Sequence, residues 1–457
     1  MARESGESGL PDAAMDPVAP IYRRLPSGPH RFGPREVAAH QRARIHGAMV
    51  EAVARHGYDQ VTVREVIGLA GVSRRSFYEH FANRHDCFLH TVAEISVRQL
   101  ATARDACEDA PPERRPATGL KRLAREACAA PEASRLVLLA SLSAGDTGAA
   151  VLGEAMETAE QLLAGSLAPA PGTSLPAGVI RSLGGALAGT LVAALEAKRP
   201  APTVTAAEMS RLAESARLDA AGASELGGLL AVRMRRAALT AATGTTTRAV
   251  GTRTEPTPAS PSGSRERLLR SAMRAAARQP VDRLTPAQVA DGAGLPVDSF
   301  FVEFADTEAC LVAGVELCHE RLLSTVGRAR ATGAGWAQET RLALAAVLAH
   351  LAADPAPART VALVAHRAGE KARSRNQTLS LELGAALCAG APAGAPAPAA
   401  VSGALWRVTR QLLLEGRARL LPAFSDHIGY VLLAPALGPQ GALEALRGGA
   451  PAPGGPG

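Results

Sequence analysis

The side chains best equipped for chemistry in this 457-residue chain gather in one short run, Ser73-Arg74-Arg75-Ser76-Phe77-Tyr78-Glu79-His80, with Thr62 upstream and Arg84 downstream. They suit a polyanion. Arginine forks onto a guanine edge or a phosphate, and a hydroxyl reaches a phosphate oxygen without carrying sequence information. The expected assignment puts Arg74 and Arg75 at base edges in a major groove and Thr62, Tyr78, His80 and Arg84 on phosphates. Ser73 and Ser76 complete the set on the helix, and Arg23, Arg24 and Arg42 add cations from an N-terminal arm. Nothing competes as a catalytic centre: the chain shows no nucleophile–base pair and no phosphate-cradling glycine loop. Six cysteines (Cys87, Cys107, Cys128, Cys310, Cys318 and Cys388) form no CxxC pair or Cys/His ligand spacing and are expected to be buried, reduced thiols. His80, His85 and His90 recur at a spacing that a helix scatters around its circumference, so no metal and no cofactor is expected.

The elements that must position these groups are legible around them. Thr62 is an N-cap with Glu65 three residues on, and Val63, Val66, Ile67 and Ala70 recur on one helical face. Gly71 supplies the positive φ that stops this helix, Val72 plugs the corner, and Ser73 caps a second helix. On that helix Phe77 and Phe81 stand four apart as core anchors, which leaves Arg74, Arg75, Tyr78 and His80 for other faces. This is helix-turn-helix grammar. Glu36 to His56 reads as a supporting helix with Ile45, Met49, Ala52 and Val53 inward, and Asn83 caps a following helix.

The run from Gly57 to Phe88, GYDQVTVREVIGLAGVSRRSFYEHFANRHDCF, resembles the DNA-binding domain of the TetR family of bacterial transcriptional regulators. The resemblance implies a helical regulatory body behind the head, holding a small-molecule pocket and a dimerisation face. It further implies a homodimer on a near-palindromic, double-stranded DNA operator, and release of a repressor when an effector in the first body changes the spacing of paired heads.

Length and composition widen the frame. A chain this long is expected to hold two or more units. Aromatics are scarce and alanine is plentiful, so cores of Ala, Leu and Val predict an all-α protein. The net charge of +7 is compatible with a polyanionic partner. Residues 1–34 read as a disordered basic arm suited to phosphates or a minor groove, 35–90 as the helix-turn-helix domain and 91–240 as a helical regulatory domain. Apolar helical patterns fall near 117–130, 132–144, 147–167, 177–198 and 204–239. Residues 241–264 are rich in Thr, Ser, Pro and Gly and read as a linker. No signal peptide is read at the start. The uncharged run between Arg181 and Glu196 is too short to span a bilayer, and Pro392, Pro396 and Pro398 break the run from Leu383 to Trp406. A cytoplasmic protein, nucleoid-associated when DNA-bound, is expected.

Beyond the linker the chain returns to its opening theme. Residues 265–311 lie on 42–88 without a gap at a constant offset of 223, which sets Ser76 on Ser299, Phe77 on Phe300, Phe81 on Phe304 and Cys87 on Cys310. An internal duplication is the economical explanation. Turn and core positions agree between the copies; outward positions do not. Arg74 becomes Val297, Arg75 becomes Asp298, Tyr78 becomes Phe301, His80 becomes Glu303 and Arg84 becomes Thr307. Carboxylates beside phosphates repel, so the second copy, 265–311, is expected to be a degenerate helix-turn-helix that does not bind DNA like the first. A second helical body at 312–446 and a disordered tail at 447–457 complete two TetR-like units in tandem. The fused pair could act as an intramolecular pseudo-dimer or assemble further as a homodimer. An alternative makes the second unit chiefly a partner-binding or dimerisation module without effector response.

Overall fold

Two rules of local chemistry account for most of this architecture: helix-favouring Ala and Leu fill the segments, and Pro, Gly and capping side chains punctuate them. The computed structural model describes residues 33–168, 174–197, 200–243, 261–332 and 335–448, and within them every regular element is helical. The first head comprises α1 (Pro34–His56), a 3₁₀ turn at Tyr58–Gln60, α2 (Val63–Ala70), α3 (Arg74–His80) and the start of α4 (Arg84–Glu108). A helical body follows: α5 (Arg115–Ala129), α6 (Pro131–Arg135), a π-helical turn at Leu136–Ala140, α7 (Ser141–Ser143), α8 (Gly145–Leu167), α9 (Ala177–Glu196), α10 (Pro202–Ser215) and α11 (Ala220–Thr243). The pattern then recurs with α12 (Pro261–Ala276), a 3₁₀ turn at Val281–Arg283, α13 (Pro286–Ala293), α14 (Val297–Glu303) and α15 (Thr307–Arg330). The second body holds α16 (Trp336–Ala353), α17 (Pro355–Ala362), α18 (Glu370–Leu387), α19 (Pro398–Leu414), a 3₁₀ stretch at Ala418–Phe424 and α20 (Ser425–Arg447).

Several expected boundaries move. The expected helix 204–239 is two helices, broken at 216–219, where Asp219 accepts the Gly222 N–H at 2.7 Å and caps α11. α1 begins at Pro34, so Arg42, counted among the cations of an N-terminal arm, stands on a helix. Helices extend into both ends of the expected linker, to Thr243 and from Pro261; the residues between them, like Arg23 and Arg24, lie outside the described residues. α19 stops at Leu414, and α20 continues past Pro435 through a kink at Gly438, φ 73°.

The bodies meet along α9 and α19. Gly185 and Gly189 on α9 face Gly403 on α19 so closely that a Cβ built on Gly189 would overlap the Ala399 carbonyl, and one on Gly403 the Gly185 carbonyl. Only glycine permits backbones to touch in this way. Beside this seam, Glu160 of α8 and Arg407 of α19, both buried, form a forked ion pair at 2.8 and 3.2 Å. Arg233 of α11 pairs with Asp426 of α20, and the buried Tyr430 hydroxyl donates to the Ala216 carbonyl at 3.2 Å. The stripe Leu183, Leu187, Leu191 and Leu195 is buried between helices. Two stretches, Ala177–Glu196 and Ala418–Arg447, are by length and composition long and apolar enough to cross a membrane; most of each is buried against neighbouring helices.

Four histidines are enclosed in neutral form. Burial holds His46, His319 and His427 down to about 4 and His366 to about 3, with nearby arginines reinforcing the effect at His46, His319 and His366. His46 takes Thr91 Oγ1 at 2.8 Å; since that hydroxyl already donates to the Cys87 carbonyl at 2.7 Å, the imidazole must carry its proton on Nδ1. In the unfolded chain these rings take a proton below roughly pH 6.5. Because the folded rings resist until about 4, stability is level above neutrality and falls as pH drops through 6.5. Each ring contributes a slope of up to ~1.4 kcal/mol per pH unit. The melting temperature should therefore fall steeply between roughly pH 6.5 and 5, before carboxylates titrate. His319→Gln should flatten that fall by about one proton's worth; an unchanged slope would refute the assignment.

Candidate nucleic-acid interface

The first helix-turn-helix is fixed by its own caps. Thr62 Oγ1 accepts the Glu65 N–H at 3.2 Å, α2 ends at Gly71 with φ 59°, and Ser73 Oγ accepts the Ser76 N–H at 3.0 Å. Arg44 of α1 clamps the turn by donating to the carbonyls of Ala70 and Gly71, groups the helix end would otherwise leave unpaired. Phe77 and Phe81 are buried, their ring centroids 5.7 Å apart, and hold α3 on the core. The angle at which α3 is presented is thus set from both ends.

On that frame Arg74, Arg75 and Tyr78 are exposed on α3, joined by exposed Ser73 at its start and Thr62 ahead of α2. The Arg74 guanidinium lies 5.8 Å from the centre of the Tyr78 ring, one helical turn away. Arg75 Nε contacts Glu79 Oε1 at 3.1 Å, with the arginine side chain 90% exposed. A pair so open to water is worth little, so Glu79 does not hold Arg75 back from a stronger anion. Arg42 is also exposed, on α1. The hydroxyls of Thr62 and Ser73 accept backbone N–H groups as caps, which leaves each one proton to donate outward.

Three expected contacts are corrected. Ser76 is buried and donates to Gln41 Oε1 at 2.9 Å, so it ties α3 to α1. Arg84 turns inward: its Nη1 donates to the carbonyls of Tyr58, Asp59 and Val61 at 2.9, 3.0 and 2.9 Å, with the guanidinium 4.6 Å from the Tyr58 ring centre. It anchors the 3₁₀ turn ahead of α2. His80 is half-buried, with Nε2 enclosed and without a hydrogen-bond partner among the described residues, so that atom does not face out. Two groups carry no contact expected from the sequence. Arg64, exposed one residue into α2, signals itself only by standing beside the cap. His85 links head to body, with Nδ1 2.7 Å from Tyr58 Oη and Nε2 2.9 Å from Thr147 Oγ1 of α8, a contact across 62 residues.

The second frame repeats the device. Thr285 and Gln288 form a reciprocal capping box, Gly294 takes φ 64°, and Arg267 donates to the carbonyls of Ala293 and Gly294, as Arg44 does to Ala70 and Gly71. Phe300 and Phe304 are buried. The surface of α14 differs altogether: Val297, Asp298, Phe301 and Val302 are exposed where α3 shows cations and a phenol. Pro296 replaces the serine cap.

Cys87, Cys107, Cys310 and Cys318 are buried and Cys128 and Cys388 half-buried, all as free thiols. Burial pushes Cys87, Cys310 and Cys318 up to about 12, which keeps them protonated and unreactive.

Residues 47–91 match the model of the bacterial regulatory proteins of the tetR family, at its N-terminal domain. The stretch runs from within α1 to within α4 and contains the whole helix-turn-helix. The chain thus carries a TetR-type DNA-binding head on an all-α fold and is a DNA-binding transcriptional regulator. Among solved structures, the fatty acid degradation regulator FadR from Bacillus halodurans is similar at 20% identity over 37% of this chain and 96% of that one, with a TM-score of 0.35. No curated protein matches the chain.

Proposed function

We propose that this chain is a tandem TetR-like repressor that reads double-stranded operator DNA through its first helix-turn-helix alone. One observation carries the reading: two frames with the same threonine cap, glycine turn and phenylalanine anchors present opposite surfaces, Arg74, Arg75 and Tyr78 on α3 against Val297, Asp298 and Phe301 on α14. In this reading residues 35–90 are the DNA-binding domain, 91–240 its regulatory body, 265–311 the degenerate head and 312–446 the second body. Arg74 and Arg75 approach base edges, while Thr62, Ser73, Tyr78 and Arg42 meet phosphates, with Arg23 and Arg24 adding basic charge ahead of α1. The close α9–α19 seam favours an intramolecular pseudo-dimer as the folded unit. A small-molecule effector that shifts the bodies would reach the head through the His85–Thr147 link. The second reading, in which the later unit holds a partner rather than sensing an effector, is favoured by the exposed apolar residues Val297, Phe301 and Val302.

A single head with few phosphate contacts binds weakly at physiological salt, so two chains should assemble on a two-fold operator to present two active heads. On a duplex selected from random sequence, sedimentation should give two chains per palindromic site. Footprinting should protect two half-sites a helical turn or a multiple of it apart. A single chain protecting both half-sites, with α14 crosslinked to DNA, would overturn the proposal.

A further inference from the structure

Beside the glycine seam, with Gly185, Gly189 and Gly403 on its wall, the two bodies part, leaving a cavity of about 710 Å³ walled by α8 and α9 on one side and α18 and α19 on the other. This falls within the range of small-molecule sites. The cavity inside the first body, where an effector was expected, is only about 120 Å³. The walls of the larger space are mostly apolar, with Leu142, Leu152, Met156, Val192, Trp406 and Leu414 among the lining residues.

Its charges are sorted by depth. Glu154, Glu157, Glu196 and Glu415 are exposed on the lining, whereas Arg373, Arg407 and Arg410 are buried or half-buried. Two of the three arginines are provided for: Arg407 by the fork of Glu160, Arg373 by Ser143 Oγ at 2.8 Å and, more loosely, Glu370 at 4.0 Å. Arg410 forms no hydrogen bond or ion pair among the described residues. Burial, and then Arg407, push its guanidinium down to about 10, still charged at neutral pH. His366, on the same lining, is kept neutral by burial and by Arg410, Arg373 and Arg367. Two further lining residues hold a buried polar atom without a partner among the described residues: Trp406 Nε1, a donor, and Asn376 Oδ1, an acceptor.

A half-buried guanidinium with no counter-charge among the described residues is poorly compensated, and a carboxylate offers it a two-pronged hydrogen bond. We propose that the cavity between the two bodies binds an amphipathic monoanion, its carboxylate on Arg410 and its apolar part against Trp406, Leu142 and Met156. Lined by residues of both bodies, the site lets its occupant set their spacing. Only that consequence for DNA rests on the proposed function; binding itself does not.

The test uses the full chain carrying Trp336→Phe, which leaves Trp406 as the sole indole reporter. It compares decanoate, decanamide and decylamine, three probes of one chain length. Decanoate should quench or shift Trp406 emission and bind at least ~10-fold more tightly than decanamide, with decylamine weakest. Arg410→Gln should bring decanoate to within about twofold of decanamide, and Arg410→Lys should leave an intermediate preference. Thermal melts confirm that each variant is folded. Absence of decanoate binding, equal binding of acid and amide, or a preference that survives Arg410→Gln would overturn the proposal. Gel shifts with and without decanoate separate the two readings: unchanged operator affinity with saturated ligand defeats the effector role and leaves the site standing.

Discussion

Replacing Arg74 and Arg75 together by Ala is expected to abolish specific operator retention while leaving the melting temperature almost unchanged. A bidentate arginine–guanine pair contributes roughly 1–3 kcal/mol of discrimination, so losing two removes at least ~30-fold in specific affinity. The fold should not notice. Both side chains are exposed, and the Arg75–Glu79 contact lies in open water, where such pairs contribute a few tenths of a kcal/mol. Specific and competitor duplexes titrated at one stated salt concentration separate the effects, because lost base contacts reduce the ratio between them and lost phosphate contacts weaken both. Asp298→Ala on α14 is the matched control and should change affinity less than twofold. If the double variant kept wild-type selectivity, another surface would be reading the DNA.

The second large effect is expected at the seam between the bodies. Glu160→Ala should destabilise the chain by about 3–5 kcal/mol, because it strands a buried arginine. The carboxyl makes the converse point. Burial raises its pKa even with Arg407 alongside, in line with the general rule that the desolvation of a buried ion pair offsets much of its attraction. Its role is registration: it fixes α8 of one body against α19 of the other, where the glycine contacts leave no tolerance for sliding. Glu160→Leu with Arg407→Leu should therefore recover most of the loss in chemical denaturation, while the glycine seam still holds the bodies together. A double variant no more stable than Glu160→Ala would mean that the ion pair itself, not its half-removal, carries the energy.

The outcome for individual residues shows what kind of information each level holds. The helix-turn-helix could be read residue by residue because its determinants are neighbours: the Thr62 cap acts three residues on, Gly71 turns the chain where it stands, and Phe77 and Phe81 face one way by helical spacing. For the same reason the mismatch between Arg74-Arg75 and Val297-Asp298 was plain in the sequence. The break at Asp219 is masked in the sequence because the apolar pattern continues across it, although an Asp before Ala-Ala is a capping signal. Ser76 and Arg84 were misplaced for a different reason. Helical spacing gives the direction of a side chain from its own axis but not what lies opposite, and the partners, Gln41 and the carbonyls of residues 58–61, come from other turns of the chain.

By itself, then, the sequence determined an all-α chain with one helix-turn-helix bearing outward cations and a related segment stripped of them, since caps, turns and periodicity act over a few residues. Tertiary structure alone decided that Gly189 meets Ala399, that Glu160 finds Arg407, and that a cavity lined by Arg410, unpaired among the described residues, opens between the bodies. Ala, Leu and Gly stripes look alike wherever they occur. Which of them touch is settled only when segments some two hundred residues apart are packed together.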